Sequence, residues 1–258
     1  MGRIYNQRIT GFHTGALRAW GLLFLAAGAT GVCILQNGML GMNRLSGQQL
    51  LEIMETSDTA MTAATVSLIL QALETCAVPI FAFLMVEGFR HTRNFKNYLL
   101  RVLALAVVTE LPYNLTIGGQ WLDQSTRNPV FGVALGLIIL YFYRMYPEKK
   151  VKNTIMKGIV TLAAVVWAFM LSIAYGQTLI LIGATVWAFR EKPLLRDIAG
   201  ASVTLLCSLS SLFFVAAPMS FLILHGYNGE KGGTSPWINY LAYPGILLAV
   251  GLAGAYVF

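Results

Sequence analysis

The chain has 258 residues, of which 57% are apolar and only 11% charged, and its mean hydropathy is +0.66. Soluble domains carry about 25% charged and roughly 45–50% apolar residues, so a soluble core is excluded and a polytopic all-α transmembrane helix bundle is expected, one integral membrane domain over residues 1–258. Cys33, Cys76 and Cys207 fall inside apolar runs and no Cys/His spacing resembles a metal site, which excludes a disulfide scaffold and leaves no metal expected.

A hydrocarbon core of about 30 Å takes roughly 20 apolar residues per helix, and nine spans are expected in chain order. They run from about Thr14 to Gln36, Ala60 to Phe89, Asn97 to Ile117, Pro129 to Met145, Thr154 to Leu171, Ala174 to Phe189, Asp197 to Ser210, Ser211 to Tyr227 and Trp237 to Phe258. Eight to ten spans fit the same pattern, because the Ser-rich seventh is short enough to be re-entrant. The second is longer than a straight crossing needs and is expected to tilt, kink or split near Pro79. The first is read as a retained helix rather than a cleaved signal, since its apolar run continues past Ala26-Ala27-Gly28. Between the first two spans, LSGQQLLEIM (Leu45 to Met54) has helical apolar spacing and is expected to lie along the outer surface.

Lys and Arg accumulate on the cytoplasmic side of membrane proteins. With the N-terminus inside, 16 of the 18 Lys and Arg residues fall on that side, including Arg3, Arg8, Arg18, Arg90, Arg93, Lys149, Arg196 and Lys231, with only Arg44 and Arg127 outside. The net charge of +7 is therefore read as topological, and no nucleic acid is expected as a partner.

Ionisable groups inside spans cost about 2.5–3.5 kcal/mol each at mid-helix, so each asks for a partner or a function. Glu74 and Glu87 lie in the second span and Arg101 and Glu110 in the third, while His91 follows Glu87 at i, i+4, within contact range on one helix face. A carboxylate beside an imidazole fixes its tautomer and raises its basicity, as a general base requires; the alternative is a solvated turn among Arg90, Arg93 and Lys96. Arg101 matches Glu87 in depth and is expected to pair with it, or to clamp a phosphate. Glu110, about 13 Å deeper than Arg101, has no evident cation. Glu110 and Glu74 either share a proton or flank a polar cavity, or else bond to backbone freed by Pro112 and Pro79. The Gly-rich stretch Tyr227-Asn-Gly-Glu-Lys-Gly-Gly233 is either a turn or a loop that presents N–H groups to phosphate.

Read continuously, Val78-Pro-Ile-Phe-Ala-Phe-Leu-Met-Val-Glu-Gly-Phe-Arg-His-Thr-Arg-Asn94, then Tyr98, Arg101 and Thr109-Glu-Leu-Pro-Tyr-Asn114, resembles the TraX family. Weaker echoes follow at Asn128-Pro-Val-Phe, Tyr227-Asn-Gly-Glu-Lys-Gly and Tyr240-Leu-Ala-Tyr-Pro244. The resemblance implies a multi-pass protein of the bacterial cytoplasmic (inner) membrane, linked to conjugation and pilin acetylation. By that resemblance it is an acyltransferase taking acetyl-CoA or another acyl-CoA as donor, and a peptide N-terminus, glycan or lipid as acceptor within membrane lipid. The residues carried over are Glu87, Arg90, His91, Thr92, Asn94, Tyr98, Arg101, Glu110, Pro112, Asn114 and Asn128. Of these, His91, Glu87 and Glu110 are the catalytic candidates, and Arg90, Asn94, Tyr98, Arg101, Asn114 and Asn128 the candidates for binding substrate or cofactor. Relatives carry an Asp-His pair in the first span and a His after the last Tyr-Pro; here those places hold Gly28-Ala29 and Gly245-Ile246. The alternative implied is a catalytically inactive transporter or scaffold that binds a peptide or lipid.

Overall fold

The computed structural model describes residues 11–148, 150–232 and 236–257, with residues 236–239 described by backbone only. Arg3, Arg8, Lys149 and Gly233 lie outside the described residues. All regular elements among them are helical: α1 (Thr14–Thr30, continued as a π-helix over Gly31–Met39), α2 (Gly47–Thr56), α3 (Asp58–Glu74), α4 (Ala77–His91), α5 (Phe95–Gly118), α6 (Val130–Met145), α7 (Val151–Met170), α8 (Gly176–Ala188), α9 (Pro193–Cys207), α10 (Ser220–His225) and α11 (Pro236–Val257).

Among the described residues, five helices are long and apolar enough to cross a membrane: Thr14–Met39, Asp58–His91, Phe95–Gly118, Val151–Met170 and Tyr240–Val257. Val130–Met145, Gly176–Ala188 and Leu212–His225 are shorter and apolar. Five of the nine expected spans thus have helices of crossing length, while the other four fall on these three shorter helices and on α9, which carries the buried Arg196 and Asp197. The chain is a membrane protein of helical-bundle architecture.

The long second segment breaks at Thr75 and Cys76, between α3 and α4. Pro79 has no N–H, and its ring crowds the carbonyl four residues earlier, that of Thr75. The helix tightens there, with Val78 N–H donating to Thr75 O at 3.2 Å. Side chains tie the break to the irregular strand of chain before α10: Thr75 Oγ1 donates to Phe213 O at 3.0 Å and Cys76 Sγ to Ala216 O at 3.3 Å. The split therefore falls one turn before Pro79.

Helix α4 is the hub, packed against α1, α6, α8 and α10. Two glycines allow this close approach, since a β-carbon at Gly136 (α6) would sit 2.5 Å from the Met85 sulfur and one at Gly183 (α8) 2.6 Å from its methyl group. The buried core gathers Phe83, Phe89, Ile80, Leu137, Leu140 and Ile182 from these helices, each contributing about 1.5–3 kcal/mol relative to exposure. Helix α5 packs instead on α6 and α11.

The two ends of the bundle differ in chemistry. At one end, here the basic end, Phe89 and Phe95 meet Tyr141 and Trp187, with Arg144 4.9 Å over Phe89 and Arg190 4.3 Å over Trp187. The C-terminal ends of α4, α6 and α8 therefore share that end. At the other, the loop after α5 pairs with the turn after α7, Arg127 N–H donating to Ser172 O and Ala174 N–H to Arg127 O, both at 2.9 Å. In the same loop Asp123 accepts from the Ser125 N–H at 2.8 Å and its hydroxyl at 2.9 Å, and these bonds hold its carboxyl below the usual range.

The LSGQQLLEIM stretch forms α2, started by a capping box in which Ser46 and Gln49 satisfy one another's backbone N–H groups. Its Leu50 and Met54 cover Leu40, Ala60, Ala63 and Ala64, and no residue of α2 is itself fully buried.

Candidate functional site

The basic end opens into a mouth cavity of about 260 Å³. Its walls come from α1 (Thr14, Arg18), from α4 (Glu87, Gly88, His91) and from the 227–232 loop (Tyr227, Lys231, Gly232). That loop is a strap on the start of α1. Phe12 N–H donates to Gly226 O at 2.8 Å, Asn228 N–H to Phe12 O at 3.0 Å and Thr14 N–H to Glu230 O at 2.9 Å; Thr14 Oγ1 bonds Lys231 O. With Asn228 N–H spent on Phe12 and Glu230 N–H on Asn228 Oδ1 at 3.0 Å, these two amides are not offered to a phosphate. What the strap brings to the cavity is Lys231.

On α4, Glu87 Oε1 accepts from Arg90 Nη1 at 2.6 Å. His91 Nδ1 lies 2.9 Å from the Glu87 backbone oxygen and 3.7 Å from Oε2. A carbonyl only accepts, so Nδ1 must carry the proton of that bond, which leaves Nε2 as the basic nitrogen of the neutral ring. The His91 side chain is 51% exposed, at the cavity edge.

The expected Glu87–Arg101 pair does not form. Arg90, one turn from Glu87 on the same helix, takes the carboxylate, while Arg101 on α5 lines a second, inner cavity of about 300 Å³ that separates α4 from α5. Arg18 and Leu84 line both cavities, so the two adjoin at these side chains. Tyr98 also faces the inner cavity; its hydroxyl would lie 2.6 Å from a β-carbon at Gly88, so a glycine there admits the phenol. Asn94 lies at neither cavity, and its Oδ1 accepts from Asn97 N–H at 3.1 Å as the N-cap of α5.

The remaining candidates sit toward the opposite end. Glu110, for which no cation was expected, accepts from Arg127 Nη1 at 3.1 Å and from the Asn128 side-chain and backbone nitrogens at 2.5 and 3.2 Å. Asn128 is fully buried; its amide also donates to Ala106 O at 2.8 Å, and its Oδ1 accepts from Val130 N–H at 3.0 Å at the start of α6. Asn114 is buried and its Oδ1, like Thr109 Oγ1, has no hydrogen-bond partner among the described residues. Glu74 is buried where a β-carbon on Gly28 would strike its carboxyl, within electrostatic reach of Tyr113, Tyr175 and Tyr243. So Glu87, Arg90, His91, Asn94, Tyr98 and Arg101 gather at the basic end, and Glu110, Asn114 and Asn128 do not join them.

The protein family described as TraX protein matches residues 47–253. The chain belongs to the TraX family. A relative in this comparison is the probable fimbrial assembly protein FimC, serogroup H1, of Dichelobacter nodosus, 25% identical over 189 residues that cover 65% of this chain and 75% of the relative. No solved structure matches.

In this TraX protein the structure also shows groups that sequence reading passed over. Arg18, by sequence one of the topological charges, lines both cavities. Behind the mouth, Arg196 donates to Asp197 Oδ1 (Nε 2.8 Å, Nη2 2.7 Å), and His225 Nδ1 lies 2.9 Å from Asp197 Oδ2. Arg196 stacks 4.8 Å over Phe83, which meets Tyr227 edge-on at 5.1 Å. The available signal was depth, since Asp197 opens one expected span and His225 closes the next.

Proposed function

We propose that this TraX protein is an acyltransferase of the bacterial inner membrane, with the basic end in the cytoplasm and an acyl-CoA donor entering at the mouth cavity. The observation that carries the reading is that one cavity brings His91, its Nδ1 tied to the Glu87 carbonyl, beside the cations Arg18 and Lys231. Those cations, with Arg101 further in, attract the phosphates and the carbonyl of an acyl-CoA. His91 Nε2 takes the proton of an acceptor amine or hydroxyl as its nitrogen or oxygen bonds the acyl carbon; the C–S bond then breaks and the proton passes to the leaving thiolate, giving CoA-SH. Glu87 orients the helix end through Arg90 and steadies the imidazolium. A relative named for fimbrial assembly supports a pilin-like peptide N-terminus as acceptor, ahead of a glycan or lipid. In this reading Glu110 and Asn128 hold helices together.

Purified protein incubated with radiolabelled acetyl-CoA and a panel of amine and hydroxyl acceptors tests this. Transfer abolished by His91→Ala supports it, and an absence of both CoA binding and transfer removes it. A second reading, an inactive scaffold or transporter for a peptide or lipid, draws on the buried Asn114 Oδ1 and Glu74 carboxyl, which offer polar groups inside the bundle.

A further inference from the structure

The inner cavity is chemically unlike the mouth. Between Arg18, Tyr98 and Arg101 at its entrance and Tyr175 and Tyr243 at its far end, its walls are aliphatic and aromatic, among them Leu25, Val78, Met85, Leu105 and Val133. Such walls supply no hydrogen-bond partners along their length, so an amide-bearing arm would lose its water there without compensation, whereas a hydrocarbon chain loses nothing. Among the described residues no ion pair is formed by Arg101, which stands at the entrance of this space. A cation at the door of an apolar slot suits a polarised carbonyl that carries one apolar tail.

Resting on the acyltransferase reading above, we infer that the inner cavity is the seat of the donor's acyl chain, and that the preferred donor is a medium-chain acyl-CoA rather than acetyl-CoA. Its thioester carbonyl stands at Arg18 and Arg101, while the amide-bearing arm lies in the mouth cavity and the phosphates lie outward, toward Lys231. The slot's depth sets the length. From Arg18 to Leu25 the wall of α1 rises about 10 Å at 1.5 Å per residue, and an extended chain of 1.5 Å C–C bonds advances about 1.3 Å per carbon, so about eight carbons fill it. Past that point the phenols of Tyr175 and Tyr243, with the Glu74 carboxyl nearby, oppose further hydrocarbon.

The experiment is competition binding of acetyl-, butyryl-, octanoyl- and palmitoyl-CoA to the full-length protein in detergent, with turnover followed in parallel. Each added methylene is expected to tighten binding by about threefold to fourfold up to octanoyl, with no further gain at palmitoyl. Val133→Trp, which narrows the slot, should abolish that gain. Arg101→Gln should weaken every chain length by one common factor. A flat series in the wild-type protein, measurable whether or not the tryptophan variant folds, overturns the inference. So does an unchanged slope in folded Val133→Trp, or displacement of octanoyl-CoA by dioctanoylphosphatidylglycerol at lower concentration than by itself, which would make the slot a site for membrane lipid. Acetyl-CoA turnover with a flat series sinks the chain-length inference alone, whereas a protein that binds no acyl-CoA sinks both readings.

Discussion

Two histidine–carboxylate pairs sit at the basic end, and they are built for opposite purposes. Asp197 lies on α9 and meets a cation and an imidazole from both sides, Arg196 and His225; the two charged side chains are 9–10% exposed. His225 reaches it from the end of α10, 28 residues away, so the contact fastens two separate segments. Glu87 and His91 are one turn apart on one helix, and the ring, its Nδ1 held by the Glu87 carbonyl, borders a cavity. A pair that joins distant segments through a buried Arg–Asp ion pair is an anchor; a pair local to one helix at the edge of a cavity is available to a ligand.

The sharpest test of that contrast is removal of the two carboxylates. Asp197→Ala leaves the Arg196 guanidinium buried without its partner, which costs about 3–5 kcal/mol. Glu87→Ala frees Arg90, whose side chain is 23% exposed at a helix end and can reach water, so a loss of about 1–2 kcal/mol is expected. Denaturation of the two variants in one detergent ranks them, and equal losses would erase the distinction. Exchanging Glu87 and Arg101 should not restore stability, since the carboxylate's partner is Arg90.

How much of this was legible follows from what hydropathy measures. Depth along the bundle is visible in sequence, and so the helical class, the amphipathic α2 and the shared helix face of Glu87 and His91 were all readable. Azimuth is not visible. Arg101 was matched to Glu87 by depth, yet a cavity lies between their helices. Glu110 has no cation at its own depth in the sequence because Arg127 falls in an outside loop, and that loop folds back onto α5. Arg18 reads as one more cytoplasmic charge until α1 is seen to form a cavity wall.

Asn128 extends the comparison to the opposite end, where an anchor without histidine is made. Its amide joins Glu110, the Ala106 carbonyl and the first turn of α6. Asn128→Ala removes the amide's bonds to Glu110 and to the Ala106 carbonyl and the acceptor for the Val130 N–H, so about 2–3 kcal/mol should be lost. Acyl transfer, corrected for the folded fraction, should be unchanged, and a specific loss of turnover would bring Glu110 back as a catalytic group.

His225→Ala comes next. It removes one bond to a carboxylate that Arg196 still holds, so about 1–2 kcal/mol is expected with turnover retained. Were His225→Ala stable but inactive, the anchor and the available pair would have to be exchanged.

The smallest change in stability is expected at His91, and it is there that the comparison has most at stake. The ring is half exposed, its one close bond is to a carbonyl within its own helix, and Glu87 keeps Arg90 when the ring is gone. His91→Ala should therefore shift stability by less than about 0.5 kcal/mol, as surface substitutions do. Turnover should fall by about 10²–10⁴-fold if Nε2 takes the acceptor's proton. His91→Gln separates the two contributions of the ring. Its amide can still donate to the Glu87 carbonyl, so the local geometry survives, but it carries no nitrogen that binds a proton near neutrality. A glutamine variant as inactive as the alanine one places the effect on proton transfer. One that recovers most of the activity would make His91 a positioning residue and send the search for the base inward, toward Tyr98 and the entrance of the second cavity.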